Sequence, residues 1–171
     1  MGNGLMTWAY VGLGANLGNP ALAVRLAMQQ MASFPIKEMA CSSMWETTPV
    51  ACPPGSPMFI NAVAGLLIEP AETPESLLDR LQGIEREFGR QRGTGVNEPR
   101  SLDLDLLAFG QETRSTASLV LPHPRAHRRR FVLAPWDEIA PDLILPGQSL
   151  PIRALLARLG SGEMVRRMAD E

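Results

Sequence analysis

The chain has 171 residues, of which 45% are hydrophobic and 20% charged, with a net charge of −2. That length makes one domain and buries about 70% of its unfolded surface, so folding requires neither a disulfide nor a structural metal. The slight negative charge speaks against a general nucleic-acid or membrane-surface binder, and no apolar run approaches the roughly 18 residues of a membrane span. Cys41 and Cys52 show no CxxC spacing and follow no basic, apolar leader, which fits reduced thiols in a cytoplasmic protein. Lys37 is the sole lysine, so nearly every cation is an arginine, the planar, bidentate partner for phosphate.

Trp8 to Leu13 predicts a strand, and Gly14-Ala15-Asn16-Leu17-Gly18 a tight turn after it. Asn19 and Pro20 then suit a helix cap and first position. Leu22, Val24, Leu26, Met28 and Met31 give that helix a broad apolar face, and Pro35 ends it. Ile36 to Thr47 reads as a second strand. Thr48 to Pro57 holds four prolines and a glycine and reads as a surface loop. Met58 to Ile68 is a third strand, apolar on both faces and therefore central. Thr73-Pro74-Glu75 starts a second helix carrying Leu77, Leu81, Ile84 and Phe88, with Gly89 as its stop. Arg90 to Glu98 has two glycines and no periodicity. Later come a polar turn region from Gln111 to Ser118, a short apolar Leu119-Val120-Leu121 and a basic stretch from Pro122 to Arg130 with a short helix. A further helix is expected from Trp136 to Ile139, and a last one from Ser149-Leu150-Pro151 through Leu159. The order β-α-β-β-α-β is that of a ferredoxin-like α+β fold, an antiparallel sheet. With the last helices on its second face, it becomes a three-layer αβα arrangement.

The richest stretch is Pro99-Arg100-Ser101-Leu102-Asp103-Leu104-Asp105-Leu106-Leu107-Ala108-Phe109-Gly110. Strict alternation from Leu102 to Leu106 means a β-strand with Asp103 and Asp105 on one face, about 6.5 Å apart along the chain. Leu107 and Phe109 are expected to continue that face. Adjacent carboxylates repel unless a cation lies between them, and Mg²⁺ binds through one or two carboxylates while keeping places for phosphate oxygens and water. A solvated edge strand is the plainer alternative. Arginines flank this stretch in sequence: Arg90, Arg92 and Arg100 before it, and Arg125, Arg128, Arg129 and Arg130 after it, beside His123 and His127. Carboxylates next to guanidinium groups are what phosphoryl transfer needs, because its catalysis is mostly positioning and charge neutralisation. Neither standard nucleotide loop is present. Gly12-Leu13-Gly14-Ala15-Asn16-Leu17 has Leu17 where a dinucleotide fingerprint needs glycine, and the single lysine lies in neither glycine-rich loop. Phe59, Asn61 and Phe131 suit a flat heterocycle with amide-like edges, two aromatic faces clamping a ring that an amide reads. Gln82 and Glu85 lie one helical turn apart. They are either a surface pair or groups reaching the acidic strand.

These motifs together resemble the 6-hydroxymethyl-7,8-dihydropterin pyrophosphokinase family of folate biosynthesis. The likeness runs from about position 8 to position 146. It rests on Tyr10 to Gly18, Ser42-Ser43 to Pro49, Phe59-Ile60-Asn61, Gln82 with Glu85, Gly89-Arg90-Gln91-Arg92, Pro99 to Asp105, Pro122-His123-Pro124 to Phe131, and Glu138 to Pro141. The resemblance implies transfer of the β,γ-pyrophosphoryl group of ATP to the pterin hydroxymethyl oxygen, with release of AMP. It implies that Asp103 and Asp105 hold two Mg²⁺ ions. Arg90, Arg92, Arg100, His123 and Arg129 would contact the phosphates or close over them, with Arg90 and Arg100 counted as catalytic. Leu106 and Leu119 would sit near the adenine. Thr47, Pro49, Val50, Phe59, Asn61 and Phe131 would line the pterin pocket. The loops at 48–57 and 90–98 would exclude water. Three positions depart from the family pattern: Asn97 where a loop Trp is common, Phe59 for a frequent Tyr, and Pro124 after the histidine.

The expectation is therefore one domain over residues 1–171, with its core in 7–160 and a tail, 161–171, that is either ordered or frayed. ATP and the pterin are its partners, with no nucleic acid and no membrane, and the protein is a cytoplasmic monomer. The alternatives are a pterin-binding homologue with weak turnover and a ferredoxin-like RNA-binding module. The latter would need exposed strand aromatics and a basic face, against 5% aromatic residues and a negative net charge here.

Overall fold

The computed structural model describes residues 4–49, 52–89, 101–160, 162–163 and 165–169. In chain order the elements are β1 (Thr7–Ala15), α1 (Pro20–Met31), β2 (Ile36–Cys41), β3 (Trp45–Thr47), β4 (Phe59–Ile68), α2 (Pro74–Glu87) and β5 (Asp103–Phe109). There follow β6 (Arg114–Ser115), β7 (Val120–Leu121), a 3₁₀ turn (Ala126–Arg128), α3 (Arg130–Ile139), α4 (Ile152–Arg158) and β8 (Val165–Arg167). The main sheet has six strands in the order β5-β1-β4-β3-β8, with β2 also paired to β4. Every pairing in it is antiparallel. This is the expected ferredoxin-like α+β arrangement, and β4 is central as its apolar composition requires.

Alternation sends the strand residues to two different cores. Val11 and Leu13 of β1, Ala62, Ala64 and Leu66 of β4, and Leu104 and Leu106 of β5 face Val24, Ala27 and Met31 of α1 and Leu77, Leu81 and Ile84 of α2. Tyr10, Val63 and Leu107, on the other face, pack with Leu133 and Trp136 of α3 and Ile152 and Leu155 of α4. The result is the three-layer αβα arrangement.

Both early helices start as their sequences dictate. The Asn19 side chain accepts from Leu22 N–H, with Pro20 in the first turn. Thr73 and Ser76 satisfy each other's backbone N–H groups in a capping box. Gly89 leaves α2 with φ +75°, a conformation that favours glycine. The inner stripe of α1 is narrower than its apolar composition suggests. Ala23, Val24, Ala27 and Met31 are buried, whereas Leu22 and Leu26 face outward. Small alanines on the inner side let the helix lie close to the sheet.

Tertiary contacts change several boundaries. β1 runs on through Gly14 to Ala15, so Gly12 and Gly14 are strand residues. The expected strand over 36–47 breaks into β2 and β3 at Ser42, whose N–H donates to Val63 O while its Oγ accepts from Val63 N–H. β5 carries a bulge: Tyr10 pairs with Ala108 but Val11 with Leu106, leaving Leu107 extra. Phe109 therefore turns into the α1/α2 core instead of continuing the acidic face. Helix α3 begins at Arg130, not Trp136, and passes through Pro135. That proline removes one helical hydrogen bond, and the burial of Leu133, Ala134 and Trp136 offsets the loss. In the C-terminal segment, Val165–Arg167 forms β8 against β3.

Candidate active site

The acidic face of β5, the adjoining face of β1 and β4, and the start of α3 enclose one cleft. Asp103 and Asp105 line it from β5, Gly12 and Gly14 from β1, Thr47 from β3, and Phe59 and Asn61 from β4. Arg125, Arg129 and Phe131 close it from the segment leading into α3, and Thr48 and Cys52 from the proline-rich loop. Residues 46 positions apart, Asp105 on β5 and Phe59 on β4, thus share a wall because β1 pairs with both strands.

The heterocycle side is built on one hydrogen bond. Asn61, 7% exposed, donates from Nδ2 to Thr47 Oγ1 at 2.6 Å. The bond fixes which end of the amide is presented, and places Oδ1 above Gly14, where an added Cβ would lie only 2.8 Å away. Glycine at position 14 is therefore a space requirement of Asn61. Phe59 and Phe131 both border this region, and the Arg129 guanidinium lies 5.5 Å from the Phe131 ring centroid, a cation–π contact. Asn16 Nδ2 donates to Pro57 O at 3.3 Å and ties the end of β1 to the base of the proline-rich loop.

The phosphate side is organised by the bulge in β5. Leu107 O accepts the backbone N–H of His123 at 2.8 Å, which brings the histidine beside the acidic strand. Burial is the main cause that pushes the His123 pKa down to about 4; Arg129 and Arg125 add to it, and Asp103 opposes it. The imidazole is thus neutral at pH 7. Its Nδ1 accepts from Arg125 N–H at 3.2 Å, which puts the ring proton on Nε2 as a hydrogen-bond donor. Glu85, left undecided by spacing alone, is buried, and its Oε2 accepts from Leu104 N–H between the two aspartates at 3.1 Å.

The structure thus brings together Asp103, Asp105, Thr47, Phe59, Asn61, Arg129 and Phe131, with His123 alongside. Leu106 and Leu119 are not brought there. They are buried in the α1/α2 core, because residue 106 alternates away from Asp105. Pro49 is not among the residues lining the cleft. Arg90, Arg92, Arg100, Val50 and Asn97 lie outside the described residues. Arg125, one of the arginines that follow His123, joins Arg129 in the lining, and Cys52 lines the cleft without having been singled out for it. Among the described residues no three His, Cys, Asp or Glu side chains converge on a metal-sized site. Two carboxylates facing arginines nevertheless suit Mg²⁺, which takes its remaining ligands from phosphate and water. No described helix is long and apolar enough to cross a membrane.

Fold and site define an α+β enzyme in which paired carboxylates and arginines meet an aromatic, amide-bearing recess. Residues 10–141 match the model of the 7,8-dihydro-6-hydroxymethylpterin-pyrophosphokinase family, and the chain belongs to that family. It is 35% identical to the 2-amino-4-hydroxy-6-hydroxymethyldihydropteridine pyrophosphokinase of Haemophilus influenzae, over 94% of this chain and 98% of that one. It is 40% identical to the Pseudomonas aeruginosa protein of the same name, over 83% and 86%. Among solved structures, a Plasmodium falciparum HPPK-DHPS variant superposes with a TM-score of 0.70 at 12% identity. That likeness covers 91% of this chain but only 46% of the solved one, and it speaks for the fold. The chain is a pyrophosphokinase of folate biosynthesis.

Proposed function

We propose that this cleft moves the β,γ-pyrophosphoryl group of ATP to 6-hydroxymethyl-7,8-dihydropterin, with Asp103 and Asp105 holding two Mg²⁺ ions. The observation that carries the reading is the shared cleft itself: the two carboxylates, Asn61, both phenylalanines and Arg129 line one space. The pterin hydroxymethyl oxygen attacks the β-phosphorus and loses its proton. The bond from that phosphorus to the oxygen bridging the α-phosphate breaks, and AMP departs with that oxygen. Bound Mg²⁺ would neutralise charge on the triphosphate oxygens.

The protein's own groups do the rest. Asn61, oriented by Thr47, reads the amide-like edge of the pterin, while Phe59 and Phe131 hold its faces. The family likeness assigns Thr47, Pro49 and Val50 to the pterin as well. Arg129 and the Nε2–H of neutral His123 donate to phosphate oxygens. The family likeness gives Arg90, Arg92 and Arg100 the same task. We take residues 1–171 as one domain acting as a cytoplasmic monomer, which sedimentation of the purified protein checks.

Product analysis tests the reaction. AMP should form in step with pterin consumption and depend on Mg²⁺. ADP as the nucleotide product would mean an ordinary kinase. Tight pterin binding without turnover would mean a binding homologue.

A further inference from the structure

β5 is an edge strand. β1 pairs with one side of it, and among the described residues no strand pairs with the other. That outer side is held instead by side chains and turns. Ser101 Oγ donates to Phe88 O at the end of α2, at 2.6 Å. Beyond the acids, Leu107 O accepts from His123 N–H at 2.8 Å. Between these two contacts stands Glu85, 5% exposed, with Oε2 accepting the Leu104 N–H at 3.1 Å. Leu104 is the residue between Asp103 and Asp105, so this contact falls at the midpoint of the carboxylate pair.

We propose that Glu85 is a positioning residue for that pair: by holding Leu104 N–H it fixes the pleat and twist of the edge strand where Asp103 and Asp105 leave it, and so sets their spacing toward a divalent cation. The inference rests on the reading of those aspartates as ion-holding groups. A strand bonded on one side only is free to twist, whereas ion-holding groups must stay within about 0.5 Å of their working geometry. A carboxylate acceptor gives a hydrogen bond roughly twice as strong as a neutral one. It also comes from a rigid, capped helix whose Leu77, Leu81 and Ile84 are locked in the core. Leu104 itself points into that core, so strand and helix are registered twice, by packing and by this bond.

The test uses the intact protein with Mn²⁺ as the probe and α,β-methylene-ATP as a nucleotide that cannot react. Mn²⁺ affinity is read by electron paramagnetic resonance, pterin affinity by fluorescence, and Leu104 amide exchange by NMR. Glu85→Ala is expected to weaken Mn²⁺ binding about tenfold, the scale on which partners of metal ligands act. Leu104 exchange should quicken, and pterin affinity should stay within about twofold, because the pterin groups lie on other strands. Glu85→Gln, which keeps an acceptor oxygen, should weaken Mn²⁺ no more than about threefold. The proposal is overturned if Glu85→Ala leaves Mn²⁺ affinity unchanged, or lowers pterin affinity by the same factor. It is also overturned if Glu85→Gln loses Mn²⁺ as completely as Asp105→Ala. The Asp105→Ala control separates the two readings: Mn²⁺ affinity unaltered in that variant refutes the ion-holding role itself.

Discussion

The same three strands make both faces of the sheet, and at the cleft end the two faces have opposite chemistry. Toward α1 and α2, β1, β4 and β5 present Val11, Leu13, Ala62, Leu66, Leu104 and Leu106, all buried and apolar. One residue along each strand, the other face presents Gly12, Gly14, Asn61, Asp103 and Asp105. The first face contributes stability through burial. The second packs Tyr10, Val63 and Leu107 against α3 and α4 at one end and leaves room and charge at the cleft. Because period two separates the tasks so cleanly, substitutions on one face should leave the other's property alone.

The largest expected effect is on the cleft face. Asp105→Ala should lower turnover at least about a thousandfold, the several kcal/mol of charge stabilisation a metal supplies, while the urea midpoint changes little. Steady-state AMP release and a denaturation curve on the same preparation check both halves. The mirror experiment is Leu66→Ala, at a fully buried position of the opposite face. It should cost about 3 kcal/mol of stability and leave the pterin KM within about twofold, provided the cleft does not share the cavity. If Leu66→Ala moved KM as strongly as stability, the two faces would not be independent. A smaller effect is expected for Gly14→Ala. Its Cβ would meet Asn61 Oδ1 at 2.8 Å, so the pterin KM should rise about tenfold through displacement of the amide, with kcat less affected. An unchanged KM would mean that Asn61 yields without loss.

The smallest effect is a titration. Burial and the two arginines hold His123 down at about 4, where an ordinary histidine titrates near 6.5. Between those values the unfolded chain binds a proton that the folded one does not. This group's contribution to stability is therefore level above pH 6.5, falls as pH drops toward 4, and levels again below. An NMR titration of the ring in the free protein should show its midpoint near the lower value. A midpoint near 6.5 would place His123 in water, away from Arg125 and Arg129.

Much of this was legible because it depends only on neighbours along the chain. Alternation from Leu102 to Leu106 put the two acids on one face, and that face does line the cleft. Asn19 and Thr73 announced their helices through bonds spanning three residues. The aromatic and amide pair of β4 was visible for the same reason. Where alternation alone was extended too far it failed: Phe109 turns inward because a bulge inserts Leu107. The helix expected to start at Trp136 starts instead at Arg130 and runs through Pro135, because Trp136 and Leu133 are fully buried on either side. Leu106 and Leu119 belong to the core, a placement set by strand parity and by which layer covers them.

By itself the sequence determined the local conformations, the order of elements and the acidic face of β5, since periodicity, caps and turns act over a few residues. Tertiary structure alone decided that Asp105, Phe59 and Arg129 share one space, that Glu85 grips Leu104, and that His123 sits neutral beside them. Those outcomes depend on strand register and on desolvation by distant segments, energies that exist only once the layers have packed.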